Sequence, residues 1–137
     1  MIEMEETQAN GHSRRILIVD DNELNNQYLR TLLTRHNFTV DVASDGQGAI
    51  DAIRRRRPDV VLLDVMMPGM SGIEVLKRLR TDATQQSIPV ILITARSHDD
   101  DILNGYQEGA DYYLTKPFST RQLLHGLGLV LGMRLVE

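Results

Sequence analysis

The chain has 137 residues and a formal net charge of -4; hydrophobic residues make up 42% and charged residues 25%. That length supports one domain around a single core, and the acidic balance lacks the cationic excess with which a dedicated nucleic-acid binder neutralises phosphates. The absence of cysteine excludes disulfides, thiolate zinc centres and cysteine nucleophiles.

The opening MIEMEETQANGHSRR has no apolar signal-peptide core, and no apolar run is long enough to span a bilayer, so a cytoplasmic location without membrane contact is expected. Residues 1–13 are polar without a sustained period and read as a flexible leader, with one domain over 14–137. Beyond them, short apolar runs alternate with segments of helical period, the signature of βαβ units. Ile16-Leu17-Ile18-Val19 forms a strand ending at Asp20-Asp21. Leu24, Tyr28, Leu32 and Leu33 then recur at helical spacing as far as His36. Phe38, Val40 and Val42 alternate with polar residues, as an edge strand should.

Ala49, Ile50 and Ile53 mark a second helix, closed by Pro58. Val60-Val61-Leu62-Leu63 is a strand buried on both faces that delivers Asp64. Ser71 and Glu74 form a capping-box signature ahead of Ile73, Leu76 and Leu79. Val90 to Ile93 make a fourth strand ending at Thr94. Asp99, Asp100 and Asp101 open a fourth helix that Gly109 stops, and Asp111 to Thr115 make a fifth, mixed strand. Ser119 and Gln122 suggest a second capping box for the last helix, whose Leu123, Leu124, Leu127, Val130 and Leu131 face inward. The expectation is an α/β fold with a five-stranded parallel sheet and five helices.

In an open parallel sheet, ligands sit beyond the carboxyl ends of the strands, where the strand order reverses. Asp20-Asp21, Asp64, Thr94 and Thr115-Lys116-Pro117 all fall at such ends. Three carboxylates meeting there would repel and raise one another's pKa values. A hard divalent cation, Mg²⁺ or Mn²⁺, relieves that repulsion; Lys116 adds a cation and Thr94 a hydroxyl donor, which together suit a transferring phosphoryl group. The basic run Arg54 to Arg57 reads as a solvated helix end, and His12, His36, His98 and His125 have no metal-ligand spacing.

Asp20-Asp21, the LLDVMMPGMSG stretch around Asp64, ITA at Ile93 to Ala95 and KPF at Lys116 to Phe118 resemble, in this order and spacing, the receiver domains of two-component response regulators. The resemblance spans roughly Arg14 to Leu131. It implies a doubly wound, flavodoxin-like sheet of strand order 2-1-3-4-5. It implies that Asp64 accepts a phosphoryl group from a phosphohistidine, with Mg²⁺ held by Asp20, Asp21, Asp64 and the backbone carbonyl of Met66. Lys116 would pair with a phosphoryl oxygen, and Thr94 would bond another after the switch. Tyr113, preferred on spacing over Tyr112, would report the switch on the face formed by the fourth helix, fifth strand and fifth helix. A cis peptide is implied at Lys116-Pro117.

The implied partners are a sensor histidine kinase or phosphotransfer protein and a downstream protein or fused output domain, with a phosphorylation-linked dimer as a further possibility. Direct nucleic-acid contact is not expected. The chain would not be a dedicated enzyme, though it would catalyse its own phosphorylation. Met66 and Arg96, lacking any water-positioning group, imply slow self-dephosphorylation. The competing readings are a phosphorylation-independent adaptor of the same fold and a Mg²⁺-dependent aspartyl-phosphate hydrolase.

Overall fold

The computed structural model describes residues 14–94 and 109–135. In chain order the elements are β1 (Arg15–Val19), α1 (Glu23–Arg35), β2 (Thr39–Ala43), α2 (Gly46–Arg55) and β3 (Val60–Asp64). These are followed by α3 (Gly72–Thr81), β4 (Val90–Thr94), β5 (Tyr112–Thr115) and α4 (Thr120–Leu131). The strands form one parallel sheet in the order β2-β1-β3-β4-β5, as the resemblance implies. Four helices lie among the described residues. The expected helix between Asp99 and Gly109, the leader 1–13 and Arg96 lie outside them.

Strand alternation builds two cores from one sheet. Leu17, Val19, Leu63 and Leu92 point to one face, where Ile53 of α2 and Val75, Leu76 and Leu79 of α3 cover them. Ile16, Ile18, Leu62 and Ile93 point to the other, under Leu29 and Leu33 of α1 and Leu123, Leu124 and Leu127 of α4. Covered on both sides, β3 and β4 are buried at every position, whereas the edge strand β2 is buried only at Ala43.

Local chemistry fixes where the helices begin. Asn22 caps α1 by accepting from Asn25 N–H (3.0 Å), and Asp45 caps α2 by accepting from Gly48 N–H (2.7 Å). At Ser119 both halves of the expected capping box are made: Gln122 N–H donates to Ser119 Oγ (3.0 Å), and Ser119 N–H donates to Gln122 Oε1 (2.8 Å). At Ser71 the forward bond is made, Glu74 N–H donating to Oγ at 3.3 Å.

On α1 the inward face differs from the apolar pattern. Leu24 and Tyr28 are 76% and 60% exposed, and the buried positions are Asn26, Leu29 and Leu33. The cause is a polar requirement. Asn26 Nδ2 donates to the backbone carbonyl of Asp20 (2.8 Å), so it must face the end of β1 and turns the helix with it.

At the opposite end of the sheet, one side chain gathers three segments. Arg80, at the end of α3, donates through Nε to Gly109 O (2.9 Å), through Nη1 to Ile88 O (2.7 Å) and through Nη2 to Asp111 Oδ2 (3.0 Å). Asp111 Oδ2 also accepts from Val90 N–H (2.8 Å), so the starts of β4 and β5 are tied together.

Gly72 opens α3 directly against the end of β3. Its N–H donates to Val65 O (3.0 Å), and a Cβ there would strike the backbone of Asp64 and Val65. Backbone cannot step aside as a side-chain tip can. Gly72→Ala should therefore lower stability by about 1–3 kcal/mol, measured by urea denaturation. A wild-type midpoint would contradict the close approach.

Candidate functional site

The chain passes from β1 to β2 on one side of the sheet and later crosses back to β3 on the other. The order reverses between β1 and β3, so the residues following these two strands share one crevice. Asp20 and Asp21 follow β1, and Asp64 is the last residue of β3. Oxygens of these three carboxylates lie within 4.8 Å of one another. Asp20 and Asp64 are buried, at 4% and 6% exposure, while Asp21 faces solvent.

Among the described residues, one cation reaches in. Lys116 Nζ, just past β5, lies 3.3 Å from Asp20 Oδ2 and 3.7 Å from Asp64 Oδ2. The Lys116-Pro117 peptide is cis, as expected. Lys116 N–H donates to Thr94 O (2.6 Å), which ties the lysine to the end of β4. Thr94 itself is 2% exposed.

Asp20 is held from every side. Its Oδ1 accepts from Asn22 N–H (2.9 Å), its Oδ2 from Asn25 Nδ2 (3.4 Å), and its carbonyl from Asn26 Nδ2 (2.8 Å). Sequence reasoning missed these three asparagines. The available signal was Asn26, a polar residue three positions before Leu29 on what proves to be the inward stripe.

Asp64 Oδ1 accepts from Met66 N–H (3.1 Å), while the Met66 side chain is exposed. Burial is the largest influence on the Asp64 carboxyl and lifts its pKa from 3.8 to about 6. The Met66 amide and the Lys116 charge pull it down, and the neighbouring Asp20 charge pushes it further up. The crevice continues into a cavity of about 430 Å³, with Asp20, Asp64 and Lys116 at its polar end and Leu29, Ile93 and Phe118 among its walls.

Tyr112 and Tyr113 fall on opposite faces. Tyr113 pairs with Leu92 in register and packs in the α2–α3 core. Thr94, two residues after Leu92, shares that face by alternation. Tyr112 lies on the α4 side, where a Cβ on Gly126 would strike its ring. The structure therefore brings Asp20, Asp21, Asp64 and Lys116 into one crevice. It places Thr94 at the next strand end and Tyr113 beneath it.

Comparison with known proteins agrees with this fold. The family model of the response regulator receiver domain matches residues 16–127. The chain belongs to the response regulator receiver domain family. It is 40% identical over 111 residues to the DNA-binding response regulator MtrA of Mycobacterium tuberculosis, covering 81% of this chain and 47% of that protein. It is 47% identical over 105 residues to response regulator PleD of Caulobacter vibrioides, covering 77% of this chain and 23% of PleD. The chain thus spans about half the length of its MtrA relatives.

Among solved structures, chemotaxis protein CheY4 of Vibrio cholerae superposes with a TM-score of 0.83 at 31% identity, covering 87% of this chain and 99% of that one. The BeF3-activated N-terminal receiver domain of Klebsiella pneumoniae RstA gives 0.80 at 31%, covering 86% and 98%. Among the described residues, no helix of this receiver domain is long and apolar enough to cross a membrane.

The raised Asp64 pKa has a consequence for stability. Between about pH 4 and 6 the folded chain holds a proton on Asp64 that the unfolded chain has released. Stability from this group is thus full below pH 4 and lost as pH rises through 6. In chelator, Asp64→Asn should match wild type near pH 4 and exceed it at pH 7 by roughly 1 kcal/mol, a value discounted for the water-facing side of the crevice. Thermal melts at the two pH values check this; a constant difference would refute it.

Proposed function

We propose that this receiver domain accepts a phosphoryl group on Asp64 from a phosphohistidine of a sensor histidine kinase or phosphotransfer protein. The observation that carries this reading is the placement of Asp64, buried yet open on one side, with Lys116 Nζ 3.7 Å from its Oδ2. The Asp64 carboxylate attacks phosphorus, the P–O bond forms as the P–N bond breaks, and the P–N electron pair stays on the donor's ring, which leaves as neutral imidazole with the proton already on its other nitrogen. Asp20, Asp21, Asp64 and the Met66 carbonyl would hold Mg²⁺, with Mn²⁺ as a substitute. The all-oxygen donor set of three carboxylates, with Lys116 beside only Asp20 and Asp64 among the described residues, suits a hard divalent cation. When bound, that cation neutralises charge on the carboxylates and the phosphoryl oxygens.

The chain's own residues prepare the step. Met66 N–H and Lys116 hold the Asp64 oxygens in place, and the asparagines fix Asp20 before any ligand arrives. Preorganised charge of this kind needs little rearrangement as the phosphoryl group transfers. Tyr28 lines the cavity, and with Leu24 and Met66 it offers exposed apolar surface to a docking donor.

Once Asp64 carries the group, Thr94 and Lys116 turn toward its oxygens. Tyr113, on the same sheet face as Thr94, occupies the space that is left and biases the β5–α4 side between two arrangements. That side addresses the output: a downstream protein, a fused module or a phosphorylation-linked dimer. The DNA-binding relatives, of whose length the match covers about half, favour a fused module. Met66 presents no group that would position an attacking water, so self-dephosphorylation is slow.

Incubation with a small phosphoramidate and Mg²⁺ should add one phosphoryl group per chain, read by intact mass. Asp64→Asn should abolish the labelling, and omitting the cation should slow it by at least about tenfold. Thr94→Ala should still be labelled but lose the accompanying change in tyrosine fluorescence. Equal labelling of wild type and Asp64→Asn would sink this reading.

A further inference from the structure

Three arginines unconnected with the crevice meet at the open edge of the sheet. Among the described residues, β2 has β1 on one side and no strand on the other. Thr39 N–H donates to Arg14 O (2.9 Å), and Asp20 N–H donates to Ala43 O (3.1 Å). In a parallel ladder each residue turns its N–H and C=O to the same side, and the side alternates along the strand. Thr39, Asp41 and Ala43 therefore face β1, while Val40 and Val42 turn their backbone groups outward.

Along that edge runs a groove of about 590 Å³ lined by Arg30, Asp41, Val42, Ala52, Arg55 and Arg56. Arg30 projects from α1 over one sheet face; Arg55 and Arg56 end α2 over the other. Among the described residues, none of these three guanidinium groups makes a hydrogen bond or ion pair. The groove's one carboxylate, Asp41, is already engaged by Arg15 Nη1 (2.8 Å). The basic run is thus divided. Arg57 is committed to the fold through Thr84 O (2.7 Å) and Ser87 Oγ (2.9 Å), and Arg55 and Arg56 are left to the groove.

We propose that this edge receives an acidic, extended segment of a partner protein, which adds a sixth strand beside β2. A strand turns its side chains alternately to the two faces of a sheet. An acidic strand here would send carboxylates to Arg30 on one face and to Arg55 and Arg56 on the other, while its backbone meets Val40 and Val42. Charge complementarity selects this occupant. A second copy of the chain would bring the same three arginines to the seam, and like charges would oppose the pairing. Bare arginines also discourage indiscriminate strand addition, so only a segment that neutralises them gains from binding.

The test is a titration of the full chain with a fluorescein-labelled peptide of repeating Glu-Glu-Val-Val, which sets carboxylates on both faces of a strand, read by anisotropy. Saturable binding is expected, with amide shifts concentrated at Val40 and Val42. Charge reversal of Arg30 and Arg55 to Glu should weaken it at least about tenfold. Val42→Pro removes an outward N–H without touching the ladder to β1, and should weaken binding at least about fivefold at unchanged charge. Phosphoryl labelling of Asp64, which none of these positions contacts, verifies that each variant is folded. No saturable binding, or wild-type binding by Val42→Pro, would overturn the proposal. So would a DNA duplex that displaces the peptide at equal charge, or a dimer joined through β2.

Discussion

Mutual repulsion of carboxylates at the ends of two neighbouring strands is the constraint around which this domain is arranged. Asp20 and Asp64 are buried within reach of each other and of Asp21. Burial raises the cost of each negative charge and gives their repulsion more weight than it would have in water. Lys116 is the counterweight, and it arrives from a strand two places away in the sheet, beyond β4. The site therefore exists only when the sheet is complete. No local segment carries it.

The same constraint explains the polar scaffolding around Asp20. A buried carboxylate beside another needs its lone pairs satisfied, and Asn22, Asn25 and Lys116 supply those bonds. Asn26 goes further by spending a buried position of α1 on the Asp20 carbonyl, and it thereby sets the rotation of the helix about its axis. Leu24 and Tyr28 are exposed as a direct result. Packing gives way here to placement of a charge.

Much of this could be read in the chain, for physical reasons. Strands buried on both faces, such as β3 and β4, need unbroken apolar runs, and the polar residues stand where those runs end. The caps at Ser71 and Ser119 are local chemistry and are legible in four residues. What escaped was long-range or rotational. The inward face of α1 was not legible because apolar spacing carries no information about a hydrogen bond to a preceding strand. The clamp by Arg80 joins residues that lie far apart in sequence. The division of Arg55, Arg56 and Arg57 between a structural bond and an open groove depends on how α2 ends, which composition does not encode.

The Arg80 clamp lies at the end of the sheet opposite the crevice. It pins the beginnings of β4 and β5, through Ile88, Asp111 and the Val90 amide, while their carboxyl ends carry Thr94 and Lys116. On the proposed function, the two strands would act as a cantilever, anchored at the base and loaded at the tip. A displacement set off at the crevice would be greatest there and fade along β5 toward Asp111. The signal would then be delivered sideways to whatever rests on the upper half of the β5 edge. The fastened base gives the strands a fixed point to spring back from when the load is removed.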